Sequence, residues 1–201
     1  MLRAIRPVLG AAAIIFGGAL LAQPPKEAPA EGYFPLKKGT KWTYKVGDNL
    51  VEVSVVKVDK VGNEEQYQVD TVVGKEPKTT EMYVLKSDGV YRTKVKDDKL
   101  DPMIKVLPLP IKKDATWEIN SKVGMQAVKG TMKVINDKEM IKTPAGDFST
   151  VYVEGKDIDI AGAKTTVRLW FAKDRGIVQE EFILQTNEKV QLVLTKYEEG
   201  K

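Results

Sequence analysis

The sequence predicts a mostly β protein: one domain of about ten antiparallel strands forming a strongly curved sheet or incomplete barrel, with a two-layer β-sandwich as the alternative. Three observations carry this. Apolar and polar residues alternate with period two from Tyr33 to Tyr197, and no segment there sustains a helical stripe of more than a few turns. Glycine or polar turn pairs interrupt the alternation at short intervals, as in an antiparallel meander. Several runs are apolar on both faces, as in "EMYVLK", where Met82 and Val84 oppose Tyr83 and Leu85. A sheet of that many strands twists and curls, and two-faced strands require cover on part of the second face.

The chain divides into three parts. Residues 1–22 read as a secretory signal: Arg3 and Arg6 precede an uncharged run from Val8 to Ala22. That run is shorter than the ~20 residues of a membrane-spanning helix, so membrane contact is expected only through this segment, and only if it is not cleaved. Residues 23–32, "QPPKEAPAEG", form a Pro/Ala/Glu-rich tether with nothing to bury, and residues 33–201 form the β-domain. Export follows, to the periplasm or the exterior.

Within the domain, "EEQYQVDTV" sets Tyr67, Val69, Thr71 and Val73 on one face. "TTVRLWFA" sets Val167, Leu169 and Phe171 against Thr166, Arg168 and Trp170, and "KVQLVLTKY" aligns Val190, Leu192 and Leu194. Turns are expected at Gly47-Asp48, Gly62-Asn63, Ser87-Asp88-Gly89, Asn136-Asp137, Pro144 to Asp147, Arg175-Gly176 and Thr186-Asn187. An internal pseudo-repeat is suggested by "KKGTKW" at Lys37–Trp42 and "KKDATW" at Lys112–Trp117, 75 positions apart, each preceded by Pro-Leu. "YVLKSDGVY" and "WFAKDRGIV" match at an offset of 87, so a duplication needs about twelve extra residues in the second half, with "DKEMIKTPAGDF" the candidate.

Composition narrows the chemistry. The chain has no histidine and no cysteine. That excludes Ser-His-Asp and Cys-His nucleophiles, a histidine base, thiolate or imidazole metal sites, disulfides and a lipid-bearing cysteine. Neither GxGxxG nor GxxxxGK[ST] occurs, and no cofactor is expected. Losing residues 1–22 lowers the formal charge from +4 to +2, and only five of the 32 basic residues are arginine. Lysines alternate with acids, which describes a solvated surface and not a nucleic-acid footprint. Asp97, Asp98 and Asp101 are expected in a loop, Asp157 and Asp159 on one strand face, without the spacing of a calcium loop. Glu180 and Glu181 must point to opposite sheet faces.

No catalytic or metal-binding residue is assigned. The candidate ligand-binding residues are Trp42, Tyr44, Trp117, Arg168 and Trp170, aromatic or beside aromatic groups on a curved sheet, where they either fill the core or line an apolar pocket.

Three segments carry a resemblance: "YFPLKKGTKWTY", "TPAGDFSTVYV" and "LWFAKDRGIVQEEF". Pro35, Leu36, Gly39, Trp42, Tyr44, the Pro144-Ala145-Gly146-x-Phe148 turn, and Trp170, Phe171, Ala172 and Gly176 stand in its pattern. On these the chain resembles a loose group of exported bacterial β-proteins of unassigned function. More distantly it is similar to the unclosed β-barrels of periplasmic lipoprotein carriers, although it lacks their lid helix. The resemblance implies fold and location and no catalytic residue.

The function expected is non-enzymatic: binding a lipid-like or peptide ligand, apolar or amphipathic, in the concave sheet face. The alternative is an envelope protein-interaction or scaffold module. A carboxylate-dependent hydrolase comes last, since it needs two carboxyls about 5 to 9.5 Å apart in a cleft.

Overall fold

The computed structural model describes residues 32–201. The signal segment 1–22 and the tether, except Gly32, lie outside the described residues. The strands are β1 (Lys41–Val46), β2 (Asn49–Val61), β3 (Glu64–Val73), β4 (Thr79–Lys86), β5 (Gly89–Val95) and β6 (Asp98–Pro108). They continue as β7 (Thr116–Val123), β8 (Gln126–Thr143), β9 (Gly146–Ile160), β10 (Ala163–Ala172), β11 (Gly176–Leu184) and β12 (Lys189–Glu198). Each pairs antiparallel with its sequence neighbours, and β1 pairs with β12, so twelve strands close an up-and-down barrel.

This corrects the expectation of about ten strands in an incomplete barrel or a sandwich. Hairpins at Gly74 to Lys78, Gly124-Met125 and Ala161-Gly162 have no counterpart among the expected turns, whereas the one at Lys96-Asp97 falls where Asp97 is expected in a loop. Conversely, Asn136-Asp137 is no turn: it lies inside β8, where the ladder to β9 slips at Asn136 and again before Glu139. A polar pair that bends a long strand reads in sequence like one that ends it. Asp98 and Asp101 likewise sit in β6 and not in a loop, and Asp157 occupies the slip between the β9 and β10 ladders with φ 51°.

The ring is uneven. β6 and β7 pair only at Leu100↔Val123 and Asp101↔Lys122. Beyond that point two side chains of β7 take over the bonding: Ser121 Oγ donates to Pro102 O (2.6 Å) and Trp117 Nε1 to Lys105 O (2.8 Å).

The pseudo-repeat has a geometric counterpart six strands apart. Before β1, Thr40 N–H donates to Lys37 O, while Gly39 N–H and Thr40 O bond Val55. Before β7, Ala115 N–H donates to Lys112 O, while Asp114 N–H and Ala115 O bond Val134. Gly39 and Asp114 both have positive φ, 88° and 64°. The β4–β5 and β10–β11 hairpins, carrying the motifs offset by 87, are also six strands apart, and "DKEMIKTPAGDF" forms the far end of the long β8–β9 hairpin between them.

Two different ends result. At the end bearing the β4–β5 and β10–β11 turns, residues 32–36 run across the opening: Asp174 N–H donates to Gly32 O, and the Phe34 ring lies 5.2 Å from Tyr83 and 6.4 Å from Phe171. Leu36 is buried there, and Val90, Leu107, Val134, Phe171, Val178 and Leu194 are wholly buried. Close packing demands Gly89, since a Cβ would stand 2.6 Å from Leu107 O. At the opposite end the turns expose Leu50, Val73, Met125, Ile160 and Leu184.

Candidate functional site

Alternation fixes which side chains enter the barrel. In β10, Val167 and Leu169 face inward and Arg168 and Trp170 outward; in β11, Glu180 and Phe182 face inward and Glu181 outward. The inward residues leave a lumen of about 460 Å³ above the packed end. Its walls are mainly aliphatic and aromatic, including Val51, Val69, Leu169, Phe182 and Leu192. Ile104, Lys105 and Val106 all border it in succession, because β6 bulges at Val106 against β5. This wall is the strand that pairs only briefly with β7, at the thin β6–β7 seam.

Set in this apolar wall is a polar cluster. Glu81 of β4 uses both oxygens: Oε1 accepts from Arg92 Nη1 of β5 (2.9 Å) and Oε2 from the Tyr83 hydroxyl (2.6 Å). Beyond that bond to Glu81 the Arg92 guanidinium donates no hydrogen bond among the described residues, and its Nε is buried without an acceptor. Glu180 of β11 lines the same lumen and accepts no hydrogen bond among the described residues. Burial, and then the Glu81 charge, push its carboxyl up to about 7, with Arg92 pulling the other way. Burial foremost also raises Tyr44 and Tyr83 well above the ordinary phenol value, with Glu180 contributing to both.

The sequence-derived candidates separate into three groups. Trp42 and Tyr44 line the lumen near its packed end and bond across to β11 and the turn before it, Trp42 Nε1 to Arg175 O (2.6 Å) and Tyr44 Oη to Ile177 O (2.8 Å). Trp117, half-buried, sits at the seam on the same strand face as the lumen-lining Ile119. Arg168 and Trp170 stand outside. There Arg168 bridges Glu154 (Nε to Oε2, 2.8 Å) and Glu181 (Nη1 to Oε1, 2.8 Å), and Lys189 holds the second Glu181 oxygen at 2.5 Å. Trp170 stacks on Tyr152 at 4.7 Å and donates to Glu139, leaving it nearly covered. Burial opposes ionisation of Glu154, but hydrogen bonds from Tyr152 and Arg168 outweigh it and hold the carboxyl below its usual range.

Glu81, Arg92 and Glu180 are not among the ligand-binding candidates named from sequence, although the alternation sets Glu180 on the sheet face opposite Glu181. The signal existed in "QEEF": adjacent glutamates on a strand covered on both faces force one of them inward. Chemically, the cluster is a carboxylate already saturated by a cation and a phenol, beside a carboxyl with no partner.

The class defined by these features is a closed, twelve-stranded antiparallel barrel with one plugged end and an apolar lumen. Among solved structures, the chain is similar to a "putative exported protein with YmcC-like fold" from Bacteroides fragilis: TM-score 0.60, 14% identity, 84% of this chain and 99% of that one covered. It is similar too to a "putative lipoprotein" from Parabacteroides distasonis: TM-score 0.56, 14% identity, 82% and 97% covered. At that identity the likeness shows the fold alone. No protein-family profile matches the chain, and no curated protein matches it.

Proposed function

We propose that this is an exported, non-enzymatic binding protein that holds an apolar or amphipathic ligand in the lumen of its barrel. The observation that carries the reading is the unfilled, mainly apolar lumen of about 460 Å³ closed at one end by Phe34 and Leu36. That volume lies within the range of small-molecule sites, roughly 300 to 1,000 Å³. Natural cores are packed to crystal density, so such a space inside a domain otherwise tightly packed at its plugged end points to an occupant. The exposed apolar side chains at the other end, among them Leu50, Met125 and Leu184, suit the passage of a greasy molecule. Export rests on the N-terminal signal pattern, and the exported neighbours agree with it.

The scaffold reading has less to stand on, because closing the ring uses the strand edges on which it depended and the Trp170–Tyr152 pair is covered. Titration with N-phenyl-1-naphthylamine, a neutral dye that brightens in apolar surroundings, tests the proposal. Saturable binding of one dye per chain, displaced by dodecanol and reduced by Leu169→Trp, is expected. Absence of binding in the folded protein overturns it.

A further inference from the structure

The lumen cluster is short of one positive charge. With Glu180 ionised it holds two carboxylates and one guanidinium, and Glu81 alone already neutralises Arg92 through the 2.9 Å bond. The other elements facing Glu180 supply no cation to answer it. Leu169 of β10 and Leu192 of β12 are its neighbours in the sheet, and Tyr44 and Tyr83 spend their hydroxyls on Ile177 O and Glu81. Lys105, at the lumen's edge on β6, turns its Nζ to Asp88 at 2.8 Å. A carboxylate set in an apolar lumen without a cation of its own or a hydrogen-bond donor from the protein is costly, and beyond what lumen water supplies the deficit is met by a proton or by a positively charged ligand group.

Resting on the lumen-binding proposal, we infer that the natural ligand is an amphiphile with a primary ammonium head, which seats against Glu180 and displaces its proton while the chain fills the apolar walls. The ammonium supplies the missing charge, donates the hydrogen bonds that Glu180 lacks, and leaves the cluster neutral. A carboxylate head would instead bring a third anion beside Glu81 and Glu180, matched by one cation.

Proton exchange makes this readable. Since Glu180 titrates near 7 in the empty lumen, an ammonium that binds only its ionised form binds about tenfold tighter at pH 8 than at pH 6. Dodecylamine, charged throughout that range, is compared with dodecanol and dodecanoate as displacers of the neutral dye, in wild type and Glu180→Gln. Dodecylamine should exceed dodecanol at pH 8 by tenfold or more, and both its advantage over dodecanol and its pH dependence should vanish in Glu180→Gln. Calorimetry at pH 6 in two buffers of different ionisation heat should find close to one proton released per amine bound. Tighter binding of dodecanoate, making Arg92 the selecting group, overturns the inference, as does equal binding of all three heads. If neither the dye nor dodecanol binds, the lumen-binding proposal itself has failed, an outcome distinct from those two.

Discussion

Replacing Glu180 by glutamine isolates the energetic consequence of a carboxyl enclosed in the lumen. Its pKa rises from 4.5 in the unfolded chain to about 7 in the fold, with burial the largest cause. A raised acid makes the folded state hold a proton that the unfolded state has released. Its stabilising contribution is therefore complete below pH 4.5 and is lost as pH rises through 7. Every tenfold difference in acidity between folded and unfolded chain is worth about 1.4 kcal/mol, so the loss between pH 5 and pH 8 is roughly 2.5 kcal/mol. Glutamine cannot ionise and escapes it. The other carboxylates titrate alike in both proteins, and any constant cost of the amide cancels when the mutant's advantage is compared between two pH values. Urea unfolding followed by tryptophan fluorescence at pH 5 and pH 8 should show the Glu180→Gln advantage growing by roughly 2.5 kcal/mol. In thermal melts this is about 5 to 10 °C for a chain of this size. An advantage that does not change with pH would mean that Glu180 is well hydrated in the fold, and would refute the reasoning.

Arg168→Met removes the cation shared by the nearly buried Glu154 and Glu181, leaving Glu154 to Tyr152 and Lys156 and Glu181 to Lys189. It should cost about 2 kcal/mol at pH 7 and leave dye affinity unchanged, because the site faces outward. Trp117→Phe removes the donor to Lys105 O at the β6–β7 seam; a loss of about 1 kcal/mol is expected, with faster amide exchange in residues 103–108 than elsewhere in the barrel. Phe34→Ala withdraws the partly buried ring that packs on Tyr83 and Phe171 and should cost about 1.5 to 2 kcal/mol in denaturant unfolding.

Much of the strand pattern was legible because burial on one face writes itself as period two: Val167, Leu169 and Phe171 lie inside and Arg168 and Trp170 outside, as the alternation requires. Closure was not legible. Nothing local distinguishes Lys41 pairing with Glu198 from two free edges, since the contact joins residues at opposite ends of the domain. The turn built on Gly74 is masked by the charged Lys75 and Glu76 that follow it and the one at Gly124 by the apolar Val123 and Met125 on either side, and the bend at Asn136 imitates a turn. Of the candidate site, Trp42 and Tyr44 were visible as aromatic residues on one strand face. The Glu81–Arg92–Glu180 cluster was hidden because charge on a strand ordinarily means solvent, and only a closed lumen makes an inward glutamate meaningful.

The most direct test of a ligand-holding lumen is native mass spectrometry of the protein isolated from its own host without detergent, followed by denaturing measurement of the same sample. A discrete small-molecule adduct that leaves on denaturation, and that is absent from a lumen-filling Leu169→Trp variant, is the result predicted. A bare chain in every preparation, from a protein that also fails to take up the neutral dye, would contradict the account.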